Sequence, residues 1–190
     1  MDTKAWSGFR AKLYSLLFRA PKSNRLLVDL AELLPSDRSL DIGCGPGAAV
    51  RMAADIVSRG EAVGVDRAQP MIDIARRRSS GYGNVRFEVG SAESLPFPDA
   101  SFTVVWTAHS FHHWEDRRAG LAEMRRVLAE GGRGLILEQH GKKHGLTDPQ
   151  TEAVRADLES LGFSGVSARK VDKQVVISAV AGPATGEPAP

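Results

Sequence analysis

The run Ser39-Leu40-Asp41-Ile42-Gly43-Cys44-Gly45-Pro46-Gly47-Ala48 constrains the fold more than any other stretch. A short apolar strand ends in an acidic residue, and three alternate glycines then open a helix. Glycine lets the backbone turn sharply and lets a ligand reach the amides, while the free N–H groups of a helix start favour electron-rich atoms. Strand, glycine turn and helix in that order form one half of a parallel βαβ unit, so the chain is directed towards an α/β fold.

Two ligand classes compete for such a loop. Gly43, Gly45 and Ala48 also satisfy the dinucleotide pattern G-x-G-x-x-G/A, with an acidic residue following at Asp66. Asp41 separates the two. A carboxylate two residues before the first glycine repels a pyrophosphate but attracts an ammonium or sulfonium.

Five stretches together resemble the class I S-adenosylmethionine-dependent methyltransferases that act on small molecules, the type 11 or UbiE-like group. They are LDIGCGPG at 40–47, AVGVDRAQPMIDIAR at 62–76, VRFEVGSAESLPFPDASFTVVW at 85–106, SFHHW at 110–114 and EMRRVLAEGGRGLI at 123–136. The resemblance implies a Rossmann-like methyltransferase fold: a seven-stranded, mostly parallel sheet with an antiparallel last strand and helices on both faces. It also implies S-adenosyl-L-methionine as methyl donor, S-adenosyl-L-homocysteine as product, and transfer by in-line displacement.

Hydrophobic periodicity supplies the elements. Trp6, Phe9, Leu13, Leu16 and Leu17, then Leu26, Leu27, Leu30, Leu33 and Leu34, recur at helical spacing and predict two amphipathic helices before the first strand. Beyond the glycine turn the pattern predicts a helix to about Arg59, a strand Glu61–Val65, a helix Pro70–Arg78, and strands Val85–Val89 and Phe102–Trp106. A helix Asp116–Leu128, a strand Gly134–Glu138, a helix capped by Asp148 and running to Gly162, and strands Val166–Lys170 and Gln174–Val180 follow. The expected organisation is residues 1–35 as helices packed on the sheet edge or forming a lid, 36–181 as the donor-binding domain, and 182–190 as a disordered tail rich in Gly, Pro and Ala.

Within that domain the resemblance places Asp41 on the amino group of the donor's methionine part, with Gly43, Cys44, Gly45 and Gly47 offering backbone access. Asp66, with Arg67 beside it, falls at the ribose hydroxyls, Met71 on the adenine face, and Ser91, Ala92 and Glu93 at the adenine edge. Thr107 runs beside the methionine part. Two positions depart from the family's usual pattern: Ser91 and Thr103 stand where relatives often carry Asp. Without catalysis these residues would make a donor-binding or regulatory module, and a nicotinamide oxidoreductase is the remaining reading.

Methyl transfer from a sulfonium needs alignment and water exclusion more than a universal catalytic group. If the acceptor is a hydroxyl, a base helps, and His109, His112 and His113 follow the fourth predicted strand, where the acceptor should enter. His112 ranks first. Packing of SFHHW through Phe111 and Trp114 is the competing reading, and Glu138 could face the same pocket or simply make a salt bridge.

Composition narrows the partners. The 190 residues carry a formal net charge of +2 with 25% charged residues, interspersed, so no basic face for nucleic acid is implied. Thr107-Ala108-His109-Ser110 also lacks the aromatic Pro-Pro loop of base-modifying relatives. A single cysteine, Cys44, excludes an internal disulfide and a cysteine-rich zinc site, and no metal ligand set stands out. No signal peptide or membrane span is evident, which predicts a cytoplasmic protein with a small-molecule partner and no stable membrane insertion. Oligomeric state is not encoded in any of these features.

Overall fold

The computed structural model describes residues 22–141 and 145–183. The first predicted helix, Lys142-Lys143-His144 and most of the predicted tail lie outside the described residues. Five α-helices are described: α1 Lys22–Leu30, α2 Ala48–Ala54, α3 Gln69–Arg78, α4 Arg117–Val127 and α5 Asp148–Ser160. The strands are β1 Arg38–Ile42, β2 Glu61–Asp66, β3 Val85–Val89, β4 Phe102–Ala108, β5 Leu128–His140, β6 Gly145–Leu146, β7 Phe163–Val171 and β8 Gln174–Ala181.

The strands form one sheet in the order β3-β2-β1-β4-β5-β8-β7, with the two-residue β6 pairing with β5 off that path. β1 to β5 are mutually parallel, and β8 runs antiparallel to both β5 and β7. The expected seven-stranded sheet with a reversed last strand is therefore present, with β6 as an unforeseen addition. The chain moves outward from β1 to β3, then returns to the other side of β1 with β4. That reversal leaves a crevice at the carboxyl ends of β1 and β4, where open α/β sheets bind ligands.

Alternation along the strands splits the core into two layers. Val104, Trp106, Leu135, Leu137 and Phe87 pack with Leu27, Val50, Ala53 and Ile72 of the first three helices. Leu40, Ile42, Val105, Ile136 and Ile177 pack on the opposite side with Leu121, Met124, Val154 and Leu158 of α4 and α5. A sheet covered on both faces favours near-continuous apolar strands, which is how β4 reads, whereas β1 buries Ser39 and Asp41 beside Leu40 and Ile42.

Several boundaries differ from expectation, among them the start of β7 at Phe163 instead of Val166, and three have a local cause. α2 stops at Ala54 instead of about Arg59 because Ile56 and Val57 fold into a turn on the Ala53 carbonyl, sinking Val57 completely. β5 begins at Leu128, before the two glycines, since Leu128 is already extended and pairs with Phe102. α5 is capped by Thr147, one residue earlier than predicted, with the Gln150 side-chain carbonyl accepting from the Thr147 amide at 2.9 Å.

The departure at Thr103 acquires a reason at the opposite end of the sheet from the crevice. The Thr103 hydroxyl donates to Asp37 Oδ1 at 2.7 Å and accepts from the Arg38 amide at 3.0 Å. Asp37 also accepts from the Leu34 amide at 2.8 Å and from the Arg133 guanidinium at 2.6 Å. An aspartate at position 103 would set a second carboxylate against Asp37.

Candidate active site

The glycine turn closes over the end of β2. Gly43 and Cys44 both donate to the Val65 carbonyl, at 2.8 and 3.0 Å. Gly43 has φ +79°, and a Cβ there would collide with the Ser110 side chain, so only glycine lets the loop after β4 lie against this turn. Gly45, at φ +50°, has open space where its Cβ would stand, leaving the backbone accessible to a ligand. Gly47 is the N-cap of α2. Cys44 is buried with its sulfur above Gly64, where a Cβ would come within 2.7 Å, and burial together with the charges of Asp41 and Asp66 holds its thiol well above the ordinary value. It fills space as a neutral thiol.

Asp41 and Asp66 border this turn. Asp41 is 4% exposed, and burial pushes its carboxyl up to about 7. The indole N–H of Trp106, its register partner on β4, faces the carboxylate and offsets part of the rise without completing a hydrogen bond; the nearby Asp66 charge adds to it. No cation faces Asp41 among the described residues in any ion pair. Asp66 is more open. One oxygen accepts from the Gly45 amide and the other from the Ala68 amide, both at 2.9 Å, and burial still raises its carboxyl above the ordinary value. Each oxygen keeps a lone pair for a further donor.

Met71 is buried at the start of α3 with Ile74 and Ala68 against it. Ala92 is buried after β3, whereas the side chains beside it are engaged. Burial alone would raise the Glu93 carboxyl, but the amides of Glu93, Glu115 and Asp116 and the Ser91 hydroxyl bring it below the ordinary value. Glu115 donates to it at 2.8 Å. Glu93 thus ties the loop after β3 to the start of α4. Arg67 points to Glu115 at 3.0 Å, an exposed pair. Arg126 braces the same loop from α4, donating to the Leu95 and Phe97 carbonyls and to Asp99 while paired with Glu123.

The histidines occupy the neighbouring part of the crevice. Phe111–His113 form a single 3₁₀ turn, with Phe111 fully buried and in edge contact with Trp114 at 4.9 Å. The packing role of SFHHW is therefore real for its aromatic residues. His112 is differently placed: its Nδ1 lies 3.0 Å from Glu138 Oε2, and its amide donates to Oε1 at 3.3 Å. The Glu138 side chain is fully buried, and burial raises its carboxyl despite the His112 and Phe111 amides and the charges of His109 and His113. A carboxylate on Nδ1 fixes the tautomer that leaves Nε2 with a lone pair.

His113 lies against His112 in a tilted contact, with ring centroids 3.9 Å apart and the planes inclined at 46°. His109 stands at φ +52° and meets the Gln174 side-chain nitrogen through Nε2 at 3.3 Å; burial lowers its basicity below that of a free imidazole. Thr107 is fully buried, and its hydroxyl lacks a hydrogen-bond partner among the described residues. Among the described residues no cluster of three or more His, Cys, Asp or Glu side chains could hold a metal ion. The sequence singled out neither Trp106, which reads as one more apolar residue of β4, nor Glu115, Arg126 and Gln174, whose partners lie far away along the chain. The link between His112 and Glu138, 26 residues apart, was visible only as two separate candidates.

Residues 40–136 match the family model described as a methyltransferase domain. The chain is 42% identical over 115 residues to demethylmenaquinone methyltransferase of Thermus thermophilus, covering 60% of this chain and 52% of that protein. It is 41% identical over 160 residues to 27-O-demethylrifamycin SV methyltransferase of Amycolatopsis mediterranei, covering 81% and 54%. The chain spans about half the length of these curated relatives. Among solved structures, a SAM-dependent methyltransferase from Aquifex aeolicus superposes with a TM-score of 0.76 at 19% identity, over 90% of this chain and 98% of that one, a likeness of fold. The extended match across the glycine turn, the histidine loop and β5 shows that this chain belongs to the methyltransferase-domain family.

Proposed function

We propose that this chain transfers a methyl group from S-adenosyl-L-methionine to a small-molecule acceptor. The observation that carries the reading is the buried Asp41 carboxylate, facing no cation among the described residues, beside an open glycine turn. The residues present suit the donor: Asp41 for the ammonium, the Gly45 backbone for close approach, Asp66 for the ribose hydroxyls, and Met71 with Ala92 for the adenine. Arg67 and Glu93 serve the loops around the donor, since both side chains are engaged with Glu115. Bound there, the donor supplies a methyl group on a positively charged sulfur that leaves as S-adenosyl-L-homocysteine.

The protein's own part is positioning, which can lower such a barrier by about 7–11 kcal/mol. Where the acceptor carries a hydroxyl, His112 Nε2 takes its proton as the oxygen–carbon bond forms, and Glu138 holds Nδ1–H and balances the imidazolium. The relatives' names point to different small molecules, so the acceptor follows from each protein's own pocket. No helix among the described residues is long and apolar enough to cross a membrane, and we place the reaction in the cytoplasm.

Thermal melting with S-adenosylmethionine, S-adenosylhomocysteine and NAD in parallel tests the donor. A ligand at 100 times its Kd contributes about 2.7 kcal/mol, or roughly 5–11 °C in Tm at this size. A shift with NAD alone would reject the reading. Radiolabelled methyl donor incubated with metabolite pools identifies the acceptor. His112→Ala is then expected to lower turnover by about 10²–10⁴-fold with S-adenosylhomocysteine affinity unchanged; unchanged turnover leaves the histidine loop with packing alone.

A further inference from the structure

Trp106 sits at the centre of β4, fully buried among Leu135, Leu137 and Cys44, and in register with Asp41 on the adjacent strand. Registered residues of parallel neighbours point to the same face of the sheet, so the indole and the carboxylate lie side by side. The indole N–H is buried and has no hydrogen-bond partner among the described residues. A buried donor left unpaired is costly, and one aimed at a carboxylate that itself lacks a cation is arranged for a ligand that completes the set.

We propose that Trp106 is a positioning residue of the donor site, its indole N–H holding the Asp41 carboxylate in place for the ammonium end of S-adenosylmethionine. This rests on the reading that Asp41 receives that ammonium. With the N–H on one side and the ligand's ammonium on another, the carboxylate is kept charged where burial alone would protonate it. Removing the N–H leaves burial unopposed, so Asp41 ionises only at higher pH. The other groups facing Asp41 do not reproduce this effect. Asp66 is itself an anion that raises the Asp41 carboxyl further, and it is held by two amides. Cys44 stays a thiol, and the nearby Arg51 is turned to the Pro46 carbonyl and the Ser79 hydroxyl.

Trp106→Phe keeps an aromatic ring in the core and deletes the N–H. S-adenosylhomocysteine affinity, measured by calorimetry from pH 6 to 9, is expected to fall on the order of tenfold at pH 7 and to recover towards the wild-type value at pH 9. An equal loss at every pH, the mark of a packing defect, or no loss at all, overturns the proposal. Asp41→Asn is run alongside: if it binds as tightly as wild type, the donor reading itself fails, whereas its weakening beside an unaffected Trp106→Phe removes only the role of Trp106. Should Trp106→Phe not fold, the Trp106 indole N–H resonance of the unaltered chain is followed from pH 6 to 8. A shift tracking the Asp41 titration supports the pairing, and a flat resonance overturns it.

Discussion

Two buried aspartates stand four residues apart, one just before the first strand and one near its end, and their surroundings are opposite. Asp37, 7% exposed at the amino end of the sheet, is surrounded by donors from the protein itself: the Arg133 guanidinium, the Thr103 hydroxyl and the Leu34 amide. Asp41, 4% exposed at the carboxyl end, has among the described residues the approach of one indole N–H and a second carboxylate nearby, and no cation. The same residue type at equal depth thus serves two ends. Where the chain supplies the counter-charge, burial becomes a rivet between β1, β4 and β5; where it withholds it, burial becomes a demand that a cationic ligand meets. Glu138 lies between the two cases, since its partner is an imidazole whose charge depends on the proton it holds.

The contrast breaks most visibly at Asp41. Raising its carboxyl from 3.8 to about 7 makes ionisation costly in the folded chain, by about 4 kcal/mol once pH exceeds 7. The sign follows from the direction: the folded state holds the proton more tightly, so the penalty is absent below about pH 4, grows through the window to 7 and is complete above it. Asp41→Asn is therefore expected to stabilise the ligand-free chain by about that amount at pH 8 and to leave it unchanged at pH 3.5, while weakening S-adenosylhomocysteine binding by about 10–100-fold. Chemical denaturation at the two pH values, beside calorimetric titration, reads both effects. A destabilised Asn variant at pH 8 would mean that the chain already provides a counter-charge.

Asp37→Asn should move stability the other way. It leaves Arg133 without its anion and is expected to cost about 3 kcal/mol, the low end for a buried pair because Arg133 is 32% exposed. Donor affinity should not change. Weakened binding in this variant would show that the two ends of β1 are coupled and that the division between rivet and ligand site is too sharp.

Much of this division was legible in the chain. Asp41 stands out because its glycine neighbours are adjacent in sequence, so strand, turn and helix signals fall within ten residues. β2 and β4 followed for a similar reason: strands buried on both faces are short, largely apolar runs bounded by turn residues. The rivet was not legible. Thr103 and Arg133 lie 66 and 96 residues from Asp37, and only the sheet order brings them together. Trp106 was hidden because an indole in an apolar strand looks like core until its register partner is known. The cap of α5 was misplaced by one residue because Thr147 and Asp148 are both good caps, and the Gln150 side chain decides between them.

The smallest effect sharpens the comparison furthest. Thr103 departs from the family's usual aspartate, and its hydroxyl both gives to Asp37 and receives from the Arg38 amide. Thr103→Val keeps shape and β-branching while removing both bonds, and is expected to cost about 1 kcal/mol. Thr103→Ser retains the hydroxyl and should recover most of that loss, which separates hydrogen bonding from packing. Combined with Asp37→Asn, Thr103→Val should cost less than the sum of the two, since each removes part of one network. Additive losses in urea denaturation would mean that Thr103 acts through packing or the Arg38 amide alone, and the aspartate at position 37 would then be anchored by Arg133 and the Leu34 amide without it.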